Sequence, residues 1–508
     1  MISSILKNIG DKFSFFTIFE KHISIVYMIL LLSVSLFFIY KNKKTVFHID
    51  KKLTYFLLGI IIICSSIIIL YSPFSDFNDS RSEDYKIAAK YYADESKYHL
   101  CSYGNSDECY IEKKMDKNTG YPFIISLLYK FNKNYSNATI YFNFIISIIG
   151  LLLMFLTSVN LFRDRLFSFL LIVLLCLNPL FLKYSTQSTV MMITILSLSL
   201  VFYLITSNIN KNRKEVAELL PIVLLWLSFF RAEYFLLTIL YLIYYLFDNK
   251  KTIKNYIKNN KESTFFIIFI TFSYMIIILF HLLTETQHHT GTDEIFFLPS
   301  QFFFRFNVIY KSLFLNNIIG IALTLCIISS LFNRNFKKFL KYPLSQITIF
   351  GILILTFHSY QERFLAILIP SIMLLAGMGL RHGIIKRSSQ FLLIILIIVS
   401  FFSLRPIDMD YSSTHNFDRT ISKLNDNNTL IINEAYAMQS RCILLEKYNI
   451  DCIYLETGNF QKIFENKNYT YKYFIDIPAY KNENLILENY KIKEVFRSGE
   501  LTTYKLID

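Results

Sequence analysis

The 508-residue chain is poor in the residues that break helices: it has 13 glycines, 9 prolines and a single tryptophan, Trp226. It shows no low-complexity stretch and no internal repeat. Transporters tend to carry internal repeats and helices interrupted by Gly or Pro at mid-membrane, so this scarcity weighs against that class. The tail lacks a glycine-rich nucleotide loop, and no catalysis is assigned to it. Acidic residues are in deficit, with 38 Asp and Glu against 52 Lys and Arg, a net charge of +14. That balance could suggest nucleic acid, but the excess sits in short loops between apolar runs. It therefore reads as membrane orientation, and no nucleic-acid partner is expected.

Apolar residues are abundant: 54% of the chain is hydrophobic and the mean hydropathy is +0.40. Residues 53–71 and 264–280 carry no charge at all. Runs of this length match the ~30 Å hydrocarbon core of a bilayer when coiled as helix. No single soluble core could bury so many of them. About a dozen spans are expected, near 22–40, 53–71, 139–161, 166–182, 187–205, 217–230, 233–247, 264–283, 316–332, 343–357, 364–380 and 391–404. Several are short enough to be half-helices. No cleavable signal peptide is expected, because the first apolar block follows a charged, aromatic segment and is long enough to span.

Loops 41–52, 162–165, 206–216, 248–263, 333–342 and 381–390 hold 22 basic residues, against only Asp50, Asp164, Glu215, Asp248 and Glu262. The bias recurs at every second loop, which predicts that these loops face the cytoplasm. The N-terminus, 72–138, 284–315 and the tail from 405 then fall outside. Residues 1–21, with Lys7, Lys12 and Lys21, read alternatively as an interfacial helix. Cys64, Cys176 and Cys326 lie within spans. Cys101 and Cys109, and Cys442 and Cys452, form two close pairs in the outer segments, so two disulfides are expected there. No His or Cys stands beside them at zinc spacing.

The fold expected is an all-α polytopic bundle with a small C-terminal α/β domain outside. Its parts are 1–52 (interfacial segment, extra span and loop), 53–404 (membrane domain, including the first outer loop 72–138) and 405–508. In that loop, 83–99 reads as a helix with Tyr85, Ala88, Ala89 and Tyr92 at helical spacing, and 121–131 as a short interfacial helix. In the tail, 429–433, 451–455, 491–497 and 501–507 read as strands and 435–447 as a helix.

The first loop is dense in carboxylates: Asp76, Asp79, Glu83 and Asp84. Such groups at the rim of a bundle can act as a general base or hold a divalent cation; a solvated acidic loop is the plain alternative. Lys117 precedes a Gly-Tyr-Pro turn into an apolar helix, where it could meet a phosphate. Arg231 and Glu233 interrupt two apolar runs, which is costly unless they are paired or solvated. Arg363, with Glu362 and His358, sits in a short outer loop. His281, His288 and His289 could hold a metal, but solvated histidines are the favoured reading.

The order of these pieces resembles the GT-C glycosyltransferases, nearest to the dolichyl-phosphate-mannose protein mannosyltransferase and lipid A aminoarabinose transferase type. The matching segments are Asp79 with Tyr85 and Ala88-Ala89, then Lys117 and GYPFIISLLYKF, then LNPLFLKYSTQSTVMM (177–192) and QERFLAILIP (361–370), over roughly 53–380. The family spacing would put the carboxylate near 80–81, so Asp76 and Asp84 stand beside Asp79 as candidates. Span 22–40 is an addition. The resemblance implies a sugar donor on a polyprenyl phosphate, and a cell-surface glycan, lipid or protein acceptor at the outer face of an inner or plasma membrane. It implies inversion at the anomeric carbon, with Asp79 or Asp84 as base and Lys117, Arg231 and Arg363 on the donor phosphate. No cofactor is required, although Asp76, Asp79 and Asp84 could hold a divalent metal. The competing readings are a polysaccharide polymerase or ligase and a transporter or flippase.

Overall fold

The computed structural model describes residues 29–38, 40–41, 51–72, 80–95, 100–104, 109–113, 120–131, 135–187, 189–211, 216–231, 234–250, isolated helical positions between 254 and 272, 317–356, 363–382, 387–404, 419–424, 428–433, 450–454, 469–476, 491–498 and 501–507. Most of the described helices coincide with the apolar runs; the helix at Ser80–Glu95 is polar. They are α1 (Ile29–Phe38), α2 (Lys51–Tyr71), α3 (Ser80–Glu95), α4 (Gly120–Tyr129), α5 (Tyr135–Phe162), α6 (Arg165–Cys176), α7 (Pro179–Ser185), α8 (Met191–Lys211), α9 (Val216–Phe230) and α10 (Tyr234–Asp248). Further along come α11 (Asn317–Leu331), α12 (Lys337–Thr356), α13 (Arg363–Ala366), α14 (Ile369–Leu380) and α15 (Ser389–Ser403). Three of the described helices are long and apolar enough to cross a membrane, or five if each bent pair counts as one span.

The departures from the expected spans have local causes. The run 166–182 is broken: α6 and α7 meet at 71°. Asn178 ends one helix and caps the next, its side-chain oxygen accepting from the Leu180 and Phe181 amides, with Pro179 in the first turn. Pro at that position lacks only an amide that would be unbonded anyway. A second bend, of 73°, separates α11 from the stretch beginning at Arg334. The helix expected from 343 starts at Lys337 and carries Pro343 inside it. The run 364–380 splits into α13 and α14. Most of the run 264–283 lies outside the described residues.

Many polar side chains inside the helices are satisfied locally, as a lipid environment favours. Thr157, Thr194, Ser197, Ser199 and Thr206 each donate to the carbonyl four residues back. Other helix faces expose large apolar residues such as Ile62, Leu70, Phe247 and Phe402, a surface suited to lipid tails. Where α11 crosses α14 the backbones touch: a Cβ on Gly379 would lie 1.7 Å from the Cys326 carbonyl oxygen.

The alternate basic loops meet at one end of the bundle. Lys41 pairs with Glu218 at 2.7 Å, Lys341 with Asp248 at 2.8 Å, and Asn208 donates to Asn249 at 2.7 Å. Arg381 binds Asp164 and lays its guanidinium 4.2 Å from the centre of the Phe167 ring; Gln390 also donates to Asp164 at 3.0 Å. Burial works against the Asp164 charge, but the Phe167 amide, Arg381 and Gln390 outweigh it and hold the carboxyl below its ordinary value.

The seven described strands make one sheet in the order β2-β1-β4-β3-β5-β7-β6. They are β1 (Leu100–Gly104), β2 (Cys109–Lys113), β3 (Thr429–Asn433), β4 (Ile450–Tyr454), β5 (Tyr471–Asp476), β6 (Lys491–Ser498) and β7 (Leu501–Ile507). β3 runs parallel to β4 and β5, and the remaining pairs are antiparallel. Four tail strands stand where the sequence pattern puts them; β1, β2 and β5 are additional, and the helix expected at 435–447 lies outside the described residues. β1 and β2 come from the first loop, so that loop and the tail share one sheet. Cys101 and Cys452 are each disulfide-bonded, while Cys64, Cys176 and Cys326 are free. The Cys109 side chain and Cys442 lie outside the described residues.

Candidate active site

The end of the bundle opposite the basic loops is where the first loop attaches. α2 stops at Tyr71, and Ser72 pins the exit: its hydroxyl donates to the Leu182 carbonyl at 2.8 Å and lies 2.8 Å from the Ser185 hydroxyl. The chain therefore leaves α2 against α7. Asp76 and Asp79 follow but lie outside the described residues. α3 begins at Ser80, and Asp84 falls in its second turn, with its side chain outside the described set.

Every residue from Lys86 to Tyr92 is buried. Two of them are lysines, Lys86 at 0% and Lys90 at 5% exposure. Spaced four apart, they share one face of α3. Burying two ammonium groups is costly unless negative charge or good acceptors face them. These lysines were missed by sequence reasoning, since Lys in a short loop helix normally reads as solvated. The only signal was their setting among Ala88, Ala89, Tyr91 and Tyr92.

α3 packs on α4 through edge-to-face rings, Tyr85 on Tyr121 at 5.4 Å and Tyr92 on Phe123 at 5.9 Å. Tyr121 in turn meets α5: the Asn143 amide donates to its hydroxyl at 3.0 Å and also to the Gln187 carbonyl. Ser147 donates to the Asn143 and Ser185 carbonyls at 2.7 and 3.1 Å. A continuous polar network thus ties the loop helices to α5, to the break between α7 and α8, and to Ser72. Burial pushes the Tyr121 hydroxyl well above the ordinary tyrosine range, Asn143 acting against it, so it stays neutral and holds this network together.

The N-terminus of α4 rests on the C-terminus of α9. A Cβ on Gly120 would meet the Phe229 carbonyl oxygen at 2.8 Å and Phe230 Cδ1 at 2.9 Å. Only glycine permits this approach of backbone to backbone. The next residue after Phe230 is Arg231, 5% exposed, with Nη1 3.4 Å from the Met191 sulfur at the start of α8. The turn is held by the Arg231 amide on Leu227 O and the Tyr234 amide on Arg231 O. Arg231 is therefore a buried cation, not an exposed turn residue, one position beyond the Phe230 that meets Gly120. Glu233 lies outside the described residues, as do Lys117, His281, His288, His289, His358 and Glu362. Arg363 opens α13, which packs against α7; its side chain is outside the described set. No group of three His, Cys, Asp or Glu suited to a metal occurs among the described residues.

One end of the bundle thus gathers the exit of α2, the loop helices α3 and α4, the α7–α8 break, the α9–α10 turn with Arg231, and α13. A buried guanidinium at such a place is a fixed positive charge, and in a low-dielectric setting it favours an anionic partner.

No protein-family model matches the sequence, and no curated protein matches it. Solved structures do resemble it. ArnT from Cupriavidus metallidurans bound to undecaprenyl phosphate superposes with a TM-score of 0.62 at 8% identity, over 89% of this chain and 97% of that one. Its apo state gives 0.59 over the same shares. The archaeal oligosaccharyltransferase AglB from Archaeoglobus fulgidus, in complex with an inhibitory peptide and a dolichol-phosphate, gives 0.51 at 9% identity, over 84% of this chain and 70% of that one. The likeness is one of fold: this chain shares the fold of ArnT and AglB, and its apolar helices fit a membrane protein.

Proposed function

We propose that the protein is a membrane glycosyltransferase that moves a sugar from a polyprenyl-phosphate donor to an acceptor hydroxyl at the outer face of the membrane. The observation that carries this is the junction of Gly120 with Phe229, Phe230 and buried Arg231. It joins two segments separately expected to bind phosphate, in a fold shared with proteins seen with undecaprenyl phosphate and dolichol-phosphate. The fold likeness also supports a transferase over a transporter.

In this reading the membrane body is 53–404 with about a dozen spans, 1–52 adds a span and a loop, and 405–508 is an extracytoplasmic domain. The basic loops face the cytoplasm of an inner or plasma membrane, and the site faces out. The lipid tail of the donor stays in the bilayer while its phosphate reaches Arg231, Lys117 and Arg363. Asp79 or Asp84 takes the proton of the acceptor hydroxyl. That oxygen bonds to the anomeric carbon from the face opposite the phosphate. The carbon–oxygen bond to phosphate breaks, and its electron pair leaves on the lipid phosphate. The configuration inverts, and the cations stabilise the developing charge. Asp76 is available to a divalent metal. The two outer disulfides pair Cys101 with Cys109 and Cys442 with Cys452.

The test is transfer from a radiolabelled polyprenyl-phosphate sugar in membranes bearing wild type, Asp79→Asn or Asp84→Asn. Wild type should move label to glycan, lipid or protein, and one of the two variants should lose it while still inserting. Full activity in both variants and in Asp76→Asn would remove the base assignment. No turnover by folded wild type with any common lipid-linked sugar would remove the reading.

A further inference from the structure

The hairpin β1–β2 lies in sequence between the two loop helices that build the candidate site. α3 ends at Glu95 and β1 begins at Leu100; β2 ends at Lys113 and α4 begins at Gly120. At ~3.3–3.6 Å per residue these tethers keep both helices near the hairpin. Packing couples them more closely: α3 lies directly on β1, and α4 lies on α3. A shift of the hairpin is therefore passed to α3 and through it to α4.

What fixes the hairpin is the tail. β1 joins β4 through only two residue pairs, Tyr103 with Ile453 and Gly104 with Cys452, and its register against β2 is irregular on both sides of Tyr103. Two pairs make a weak seam on their own. The seam is reinforced by a buried polar trio. The Tyr103 and Tyr469 hydroxyls bond to each other, and Tyr469 donates to Asp451 Oδ2 at 2.7 Å. All three side chains are buried. A buried carboxylate costs several kcal/mol unless its oxygens find donors, so Asp451 fixes where Tyr469, and through it Tyr103, must lie. Burial, then the bond to Asp451, push the Tyr469 hydroxyl far above its usual range, which keeps it a donor. Cys101 in β1 and Cys452 in β4 are each disulfide-bonded; in the pairing proposed above neither bond crosses the seam, so the polar trio is what reinforces it.

We infer that Tyr103, Tyr469 and Asp451 form a positioning joint through which the C-terminal sheet sets α3 and α4 for binding the lipid phosphate of the donor. This rests on the transferase reading for its ligand, but the joint itself does not. The tail then has a definite task without any catalytic residue of its own. None of the three touches substrate; they act through the hairpin.

Two measurements on the full-length protein in nanodiscs separate the joint from the function. Tyr469→Phe keeps the ring and removes the hydroxyl; Asp451→Asn keeps the shape and removes the charge; Glu494→Gln, on the far edge strand, is the control. Hydrogen exchange should rise in peptides covering 80–129 in the first two variants, with β5 to β7 unchanged. Affinity for undecaprenyl phosphate should fall about tenfold, the scale of one lost charge-assisted contact, and the KM for donor should rise with little change for acceptor. Wild-type exchange in 80–129 in both variants would overturn the joint. Raised exchange with unchanged lipid affinity would leave a structural seam and overturn the positioning role. Raised exchange in a protein whose wild type binds no polyprenyl phosphate would keep the joint but overturn its assigned ligand and the transferase reading.

Discussion

Gly120→Ala perturbs the candidate site with a single methyl group. The added carbon would stand 2.8 Å from the Phe229 carbonyl oxygen, 2.9 Å from Phe230 Cδ1 and 3.0 Å from the Phe229 carbonyl carbon. Two of those atoms are backbone, so no rotamer change relieves them. Restoring ordinary contact requires α4 and the end of α9 to part by roughly half an ångström. Overpacking of this kind costs about 1–3 kcal/mol. Because Arg231 follows Phe230 directly, the same shift moves the buried cation relative to α4. Misplacement of reacting groups by about 1 Å can cost ~10²-fold in rate, so a shift of half that should cost roughly tenfold. The assay is initial-rate transfer together with undecaprenyl phosphate binding and a melting curve in the same detergent. Both rate and affinity should fall. Gly120→Ala with wild-type rate, affinity and melting temperature would refute the reasoning, because it would mean the two backbones do not touch.

The helix crossing at Gly379 makes a purely structural counterpart: Gly379→Ala sets a carbon 1.7 Å from the Cys326 carbonyl oxygen and should destabilise the fold by about 3 kcal/mol or more, read as a sharply lower melting temperature. Gly351→Ala, which meets nothing within 4 Å, should leave it unchanged or slightly raised. At the basic end, the depressed Asp164 carboxyl contributes stability that is present above its unfolded value of about 3.9 and is lost as pH falls through the lower folded value. Arg381→Ala should therefore destabilise by about 1–3 kcal/mol at neutral pH, a partly exposed pair being worth less than a fully buried one. That difference should shrink in acid melts; a constant difference down to the most acid pH reached would contradict it.

Much of the bundle was legible because hydropathy is a local property. The runs at 53–71, 217–230, 233–247 and 391–404 became helices with bounds shifted by a few residues. Asn178 and Pro179 lay in a segment that resembles the family pattern, but the bend they make inside one expected span was not legible in it. The basic loops meet pairwise through Lys41–Glu218, Lys341–Asp248 and Arg381–Asp164, as their alternation along the chain requires. The sheet was only half legible. β1 and β2 have no clear alternation, and β1 joins the pair to a sheet whose other strands lie far along the chain; Tyr103 and Tyr469 are 366 residues apart. No local pattern encodes such pairing. Lys86 and Lys90 escaped for the same reason: their burial is imposed by elements that come from elsewhere in the chain. Arg231 was found because a charge between two apolar runs is anomalous by itself. Its neighbour across the site, Gly120, stood in a motif whose close approach to α9 could not be seen in sequence.

The central claim is that a polyprenyl phosphate binds at the end of the bundle where Gly120 meets Phe229, Phe230 and Arg231. It is tested most directly by photo-crosslinking a benzophenone-bearing polyprenyl phosphate to the protein in nanodiscs and mapping the labelled peptides. Label should fall within 117–126, 186–192 and 229–234, be lost on competition with undecaprenyl phosphate and weaken in Arg231→Ala. Label confined to the basic end, in 162–165, 334–342 or 381–390, would contradict it.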